Sequence, residues 1–327
     1  MHEPTYRSAF SHGWHLMRGH KVLWIFGLFA AILGQMGIVE IFSNIVVTAR
    51  YYTYYPLWTH ASLLAGSVLQ SLKAWYVPFD QKVWFVWLGF ILLSFFCLFV
   101  FAAVVSHGAL IHSVAQYFRG KTSIAFHEAW HAGVKHFWKL LSLQIMKKTV
   151  LALLVFFVGA GVYNSIVYPS AATMTLFVFS LLVSLFLGSM VSLLSTYATG
   201  YVMVEEMSTG RAVRSAVSLL KSHGLVSVEV SLLLLVVNGG VAILAGIFLM
   251  LFKMEIAFLF FLSLATNSLA IWSLGNTFAG VILTALLMAL GSFITVYSTS
   301  VWTYLFMKMH HHGVVPRLKL LFSRSRA

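Results

Sequence analysis

Residues 123–139 read SIAFHEAWHAGVKHFWK, and this stretch decides the fold. Phe126, Trp130, Val134, Phe137 and Leu141 recur at helical spacing, while Glu128, His131, Lys135 and Lys139 fall on the other side. A helix divided in this way, basic on one face and aromatic on the other, lies along a membrane surface. Here it leads straight into an apolar run of spanning length. The pattern occurs three times. Ala9, Trp14 and His20 match Ala125, Trp130 and His136, and both sets match Ala212, Val217 and His223. In each set the second residue follows the first by five places and the third follows it by eleven. Every copy precedes a long apolar segment.

Composition agrees. The chain is 60% hydrophobic and 9% charged, with 28 Phe and 10 Trp. A soluble domain is about half apolar and a quarter charged. Side chains of this kind cannot cover a water-facing surface, so lipid is the main solvent. The alternating strands of a transmembrane barrel do not appear. The expected class is all-α and polytopic. Cys97, the single cysteine, lies in an apolar run and can make no internal disulfide. The run after Lys21 reads as an uncleaved first helix rather than a signal peptide.

Taken in order, surface segment 6–21 feeds a span at 22–39, and a second span at 84–105 follows an aromatic stretch at 50–83. Within that stretch, Leu64, Val68, Leu69 and Leu72 suggest a short surface helix between Pro56 and Pro78. The central surface helix feeds spans at 149–167 and 173–204, joined by a turn at Tyr168, Pro169 and Ser170. Glu205 and Glu206 open the third surface segment, which feeds spans at 225–251 and 278–306. Lys253 and Glu255 are expected to break the fifth span. Residues 256–274, diluted by Asn267, Ser268, Trp272 and Ser273, are then a re-entrant or interfacial helix.

Cation counts set the orientation. Segments 1–21, 107–148, 205–223 and 308–327 hold 3, 6, 3 and 5 Lys and Arg, which makes 17. The opposite side holds Arg50, Lys73, Lys82 and Lys253. The positive-inside rule then favours six spans in the cell membrane, with both termini cytoplasmic. The expected plan is one integral domain of three hairpins, each preceded by a cytoplasmic amphipathic interfacial helix. Repeats cover approximately 6–118, 122–204 and 208–307, and a basic tail fills 308–327. Small residues four apart, at Gly27/Ala31, Gly188/Ser192, Ala242/Gly246 and Gly275/Ala279, suit close helix approach.

Several patterns carry possible chemistry. His127-Glu128-Ala129-Trp130-His131 matches H-E-x-x-H, in which two histidines one turn apart bind zinc and the glutamate acts as general base. A third protein ligand is needed. His107, His112, His136, Glu205 or Glu206 could reach, while Asp80, the only aspartate, falls on the opposite side. The four cation-rich segments hold 13 of the 14 histidines, so the pattern is cheap there. A histidine-rich interfacial face is the plainer reading, and no metal is assigned. Glu205, Glu206 and Arg211 resemble the paired glutamates and arginine of intramembrane CAAX-type proteases, at a spacing one residue too long. A carboxylate pair at a helix start accounts for them. Lys147, Lys148 and Glu229 are charges at membrane depth and are functional candidates by default. Snorkelling toward a nearby boundary explains all three cheaply. His310, His311 and His312 read as a wet cationic tail. No phosphate-cradling loop, dinucleotide fingerprint or serine elbow appears, so no cofactor is expected. The net charge of +13 lies between spans and at the termini, beside lipid headgroups, and no nucleic-acid-binding pattern accompanies it.

The phrases AFSHGWHLMRGHKVLWIFGLFAAIL, AFHEAWHAGVKHFWKLL and YVMVEEMSTGRAVRSAVSLLKSHG resemble a group of bacterial six-span proteins related to the membrane domain of glycerophosphodiester phosphodiesterase. In the enzymes of that family the activity belongs to a separate soluble domain. What the resemblance implies is membrane residence and this helical plan, with no catalytic residues to transfer.

The expected function is a non-enzymatic membrane protein that handles lipid or organises the envelope. Anionic headgroups are the expected partner, and no protein partner is named. Arg18, Lys21, Lys135, Lys139 and Lys221 would meet headgroups, while Trp14, Trp24, Trp130 and Trp138 anchor at the interface. Transport of a small solute or lipid is the alternative, with a polar cavity near Lys147, Lys148 and Glu229. A membrane zinc protease is the third reading.

Overall fold

A computed structural model describes residues 5–33, 79–121 and 125–312. The outer end of the first span, Glu40, the aromatic stretch to residue 78 with its surface helix, and the tail beyond His312 lie outside the described residues. Among the described residues every regular element is an α-helix. In chain order these are α1 (Thr5–Gly19), α2 (Val22–Leu33), α3 (Phe79–Phe118), α4 (Phe126–Lys135), α5 (Phe137–Val167), α6 (Ala171–Val204), α7 (Thr209–Thr266) and α8 (Leu269–His312). Five of them, α3 and α5 to α8, are long and apolar enough to cross a membrane. The chain is a membrane-embedded, multi-pass helical protein.

The helices run longer than the spans expected for them. Lys253 and Glu255 do not break α7, which continues to Thr266. Both residues are good helix formers, and Glu255 is exposed, so their charge gives the backbone no reason to stop. The chain turns instead at Asn267, which takes the left-handed conformation at φ 49°. Asn is one of the few residues that adopts it at low cost. Its amide bonds to the Leu264 carbonyl, and the Ser268 amide bonds to the Ser263 carbonyl at 3.1 Å. Residues 256–274 are therefore no separate re-entrant or interfacial helix. They are the last turns of α7, a corner, and the first turns of α8. Phe260 meets Trp272 edge-on across that corner, with ring centroids 5.7 Å apart.

The surface segments are also divided differently. Helix α4 stops at Lys135, and His136, with φ −105° and ψ 10°, separates it from α5. Phe137, Trp138 and Lys139 therefore begin the spanning helix rather than end the surface one. A break at His20 separates α1 from α2, and within α7 only His223 is non-helical, with φ −123° and ψ 25°. The three breaks fall on the third residue of each matched set.

The chain divides into two compact units. The first comprises residues 1–33, 102–146 and 193–327. Its core includes Leu16, Leu23, Phe26, Val104, Leu110, Leu140, Leu143, Tyr197 and Leu305, all essentially inaccessible. Here α8 packs against α7, α2 and α1. Glycine allows the closest approaches. A methyl group on Gly133 would overlap the Val105 carbonyl oxygen, so α4 lies directly on the α3 backbone. One on Gly27 would overlap Val296 and stand 3.0 Å from the Ser292 carbonyl oxygen. Of the expected small-residue pairs, Gly27 and Gly275 sit at tight contacts, whereas Gly246 faces open space.

The second unit comprises residues 34–101 and 147–192. The helical turn from α5 to α6 is fixed by a reciprocal cap. The Thr173 amide donates to Ser170 Oγ at 3.2 Å, and the Ser170 amide donates to Thr173 Oγ1 at 3.1 Å. Along the described α3 segment of this unit Phe90, Leu92, Phe95, Phe96 and Leu98 are exposed, a surface that only hydrocarbon solvates.

Candidate functional site

Small residues mark the closest docking of the amphipathic helices, beside buried Leu16 and Met17 on α1 and Leu219 in the third segment. In α4, Ala129 and Gly133 are the buried positions, while Phe126, Val134, His131 and Lys135 are exposed. Gly13 and Ala216, four places after Ala9 and Ala212, are buried as Ala129 is. Sequence periodicity in large apolar residues missed these positions. The signal available was the recurrence of Gly or Ala at that offset in all three copies.

The nine residues expected at the interface take different roles. On α1, Arg18 lies over the Trp14 ring, 5.6 Å from its centroid, and both side chains are exposed. Lys21 and Lys221 are exposed. Trp138 is 78% exposed. Trp24 and Trp130 are half-buried. The Trp24 indole N–H donates to the Met17 carbonyl at 3.0 Å, bridging the break at His20. Trp130 stacks on Phe126, which stacks in turn on Phe26 with centroids 4.9 Å apart. These two tryptophans brace the surface helices from inside.

Lys135 and Lys139 converge on one residue. Lys135 Nζ donates to Glu206 Oε1 at 2.8 Å, and Lys139 Nζ reaches the Glu206 carbonyl at 3.4 Å. Glu206 sits at φ 53°, one of two non-glycine residues with positive φ among those described. Its turn closes α6, because the Met207 amide bonds back to the Tyr201 carbonyl. The hydrogen bond and charge of Lys135 hold the Glu206 carboxyl below the usual carboxylate range. Its neighbour Glu205 stands 3.7 Å from His310. Arg211 donates to Ser208 Oγ at 3.1 Å. This is the electrostatics of a helix start.

The H-E-x-x-H residues are accounted for by their surroundings. His127 and His131 stack with centroids 5.1 Å apart, and Glu128 pairs with Lys121 at 3.3 Å. Among the described residues no group of three His, Cys, Asp or Glu side chains is placed to hold a metal.

The charges at membrane depth separate. Lys148 is exposed, as a snorkelling lysine should be. Glu229 is half-buried. Lys147 is only 7% exposed, so it does not snorkel. Its side chain makes no ion pair or hydrogen bond with another described residue.

No protein-family model, curated protein or solved structure matches the chain.

The inner polar groups are mostly closed on themselves. Ser113, Thr199, Ser227 and Thr295 each donate to a carbonyl of their own helix three or four residues back. Other hydroxyls join helices: Tyr197 to Ser227 at 2.6 Å, Ser292 Oγ to the Trp24 carbonyl at 2.7 Å, Tyr304 to Ser8 at 3.2 Å, and Ser298 to Asn238 Oδ1 at 3.4 Å. Such hydroxyls join packed helices without presenting reactive groups.

Proposed function

We propose that the chain is a non-enzymatic membrane protein whose amphipathic helices hold anionic lipid headgroups on the cytoplasmic side of the cell membrane. Three copies of one unit, each a surface helix and a hairpin of spans, make six crossings in this reading. The observation that carries it is the exposure of Trp14, Phe126 and Trp138 beside the cations Arg18, Lys135 and Lys139. Indole and benzyl rings settle at the headgroup level, and each nearby cation adds about 1 kcal/mol of attraction to an anionic leaflet. In this reading such a surface serves to handle lipid or organise the envelope.

The test is the triple variant Lys135→Gln, Lys139→Gln, Lys221→Gln in nanodiscs containing spin-labelled phosphatidylglycerol. The expected result is fewer motionally restricted labels at low salt, with the difference shrinking as salt screens the surface. Equal restriction in both proteins would mean that these cations serve topology alone. Lys135 is the weakest of the three as a headgroup ligand, since it already pairs with Glu206.

Transport of a small solute or lipid is the second reading. In its favour are the buried hydroxyls of α8, among them Ser300, whose Oγ has no hydrogen-bond partner among the described residues. Solute flux into proteoliposomes that is lost on Ser300→Ala would favour it.

A further inference from the structure

Counting from the three helix breaks puts the spans in a common register. Seven places after His20, His136 and His223 stand Gly27, Leu143 and Val230, and all three are buried. Eleven places after them stand Ala31, Lys147 and Leu234. Leu234 is buried at 3% exposure and Ala31 is partly buried. Lys147, at 7%, occupies the same inward position of its copy. An ammonium thus stands where the other copies place an aliphatic side chain. Neighbouring Lys148 points outward, so the inward placement is not imposed by general basicity.

A buried lysine that keeps its charge is stabilised by an anion. Among the described residues no carboxylate is within ion-pair distance of Lys147. The depth of the residue identifies the class of anion. From Lys147 to Val167, where α5 ends, the helix climbs about 30 Å at 1.5 Å per residue, one hydrocarbon thickness. With α5 upright and Val167 at the far boundary, Lys147 stands at the edge of the acyl region, at the level of phosphodiester groups. Lysine is a good point-charge ligand for phosphate. We propose that Lys147 is the anchor of an internal site for a phosphate-bearing anion, supplied by a lipid headgroup or by phosphate from solution. This goes beyond the surface-helix reading and does not rest on it.

The experiment uses the full chain in nanodiscs of phosphatidylcholine, of phosphatidylcholine with phosphatidylglycerol, or of phosphatidylcholine with inorganic phosphate in the buffer. Thermal melting and native mass spectrometry are the readouts. One phosphatidylglycerol retained per chain, with a raised melting temperature, assigns the site to a headgroup. A rise with inorganic phosphate alone assigns it to a soluble anion. In either case Lys147→Met should weaken retention about tenfold or more and abolish the rise, while Lys148→Met keeps both. Removing an unpaired buried charge should leave Lys147→Met at least as stable as the parent chain in phosphatidylcholine alone. The triple surface variant should retain the internal lipid, which separates this proposal from the one above. A parent chain indifferent to both anions, or a Lys147→Met variant that responds in full, would overturn the assignment.

Discussion

Lys135 Nζ donates a 2.8 Å hydrogen bond to Glu206 Oε1, tying the end of one surface helix to the turn that opens the next. The two residues are 71 apart in sequence. Glu206 holds a backbone conformation, φ 53°, that glycine would take more cheaply. Lys135 holds the carboxyl below its ordinary value of 4.5, so the pair's contribution to stability is complete above that value. It is lost as pH falls through the lowered folded-state value. Melting curves of the parent chain and Glu206→Gln should therefore differ near neutral pH and converge in acid. Both groups are well exposed, so the difference is small and shrinks in high salt. A gap that is constant across pH would show that the ion pair contributes nothing.

Gly133→Ala should detach α4. The methyl group meets a backbone carbonyl, which cannot rotate aside, and overpacking of this kind costs about 1–3 kcal/mol. Gly246→Ala is the matched control. Nothing lies within 4 Å of its added carbon, and alanine favours the helix by up to about 1 kcal/mol. Denaturant melts in detergent micelles should move the two variants in opposite directions.

The Tyr197–Ser227 bond, 2.6 Å and buried, should be worth about 1 kcal/mol. Tyr197→Phe and Ser227→Ala should each lower stability by that amount, and the double variant should lose little more. Simple additivity would argue against the bond.

Purified protein should carry no stoichiometric zinc, and a chelator should leave its melting temperature unchanged. Elemental analysis of the parent chain and His131→Ala checks this. One zinc per chain that disappears in the variant would revive the hydrolase reading.

Much of this organisation was legible in the sequence, for identifiable reasons. Lipid as the main solvent follows from composition alone. The matched sets beginning at Ala9, Ala125 and Ala212 end on histidines, and the structure breaks its helices at each of the three. Periodicity could not find the break at His136, because Phe137 and Leu141 continue the helical spacing across it. Nor did it anticipate that Lys253 and Glu255 stay helical while Asn267 turns the chain. Charge density suggested a stop, but left-handed backbone tolerance decided it. The inward aim of Lys147 was hidden because its neighbour Lys148 is equally basic, and only packing separates them.

The corner at Asn267 has a mechanical consequence. From Gly224 to Thr266 the rod measures about 64 Å, roughly twice the oily thickness of an ordinary bilayer. Upright, it would lift Phe258, Phe261 and Leu264 into water, and all three are open to their surroundings. A rod of that length can keep these side chains among acyl chains only by leaning, by drawing a thicker layer of lipid around itself, or by both.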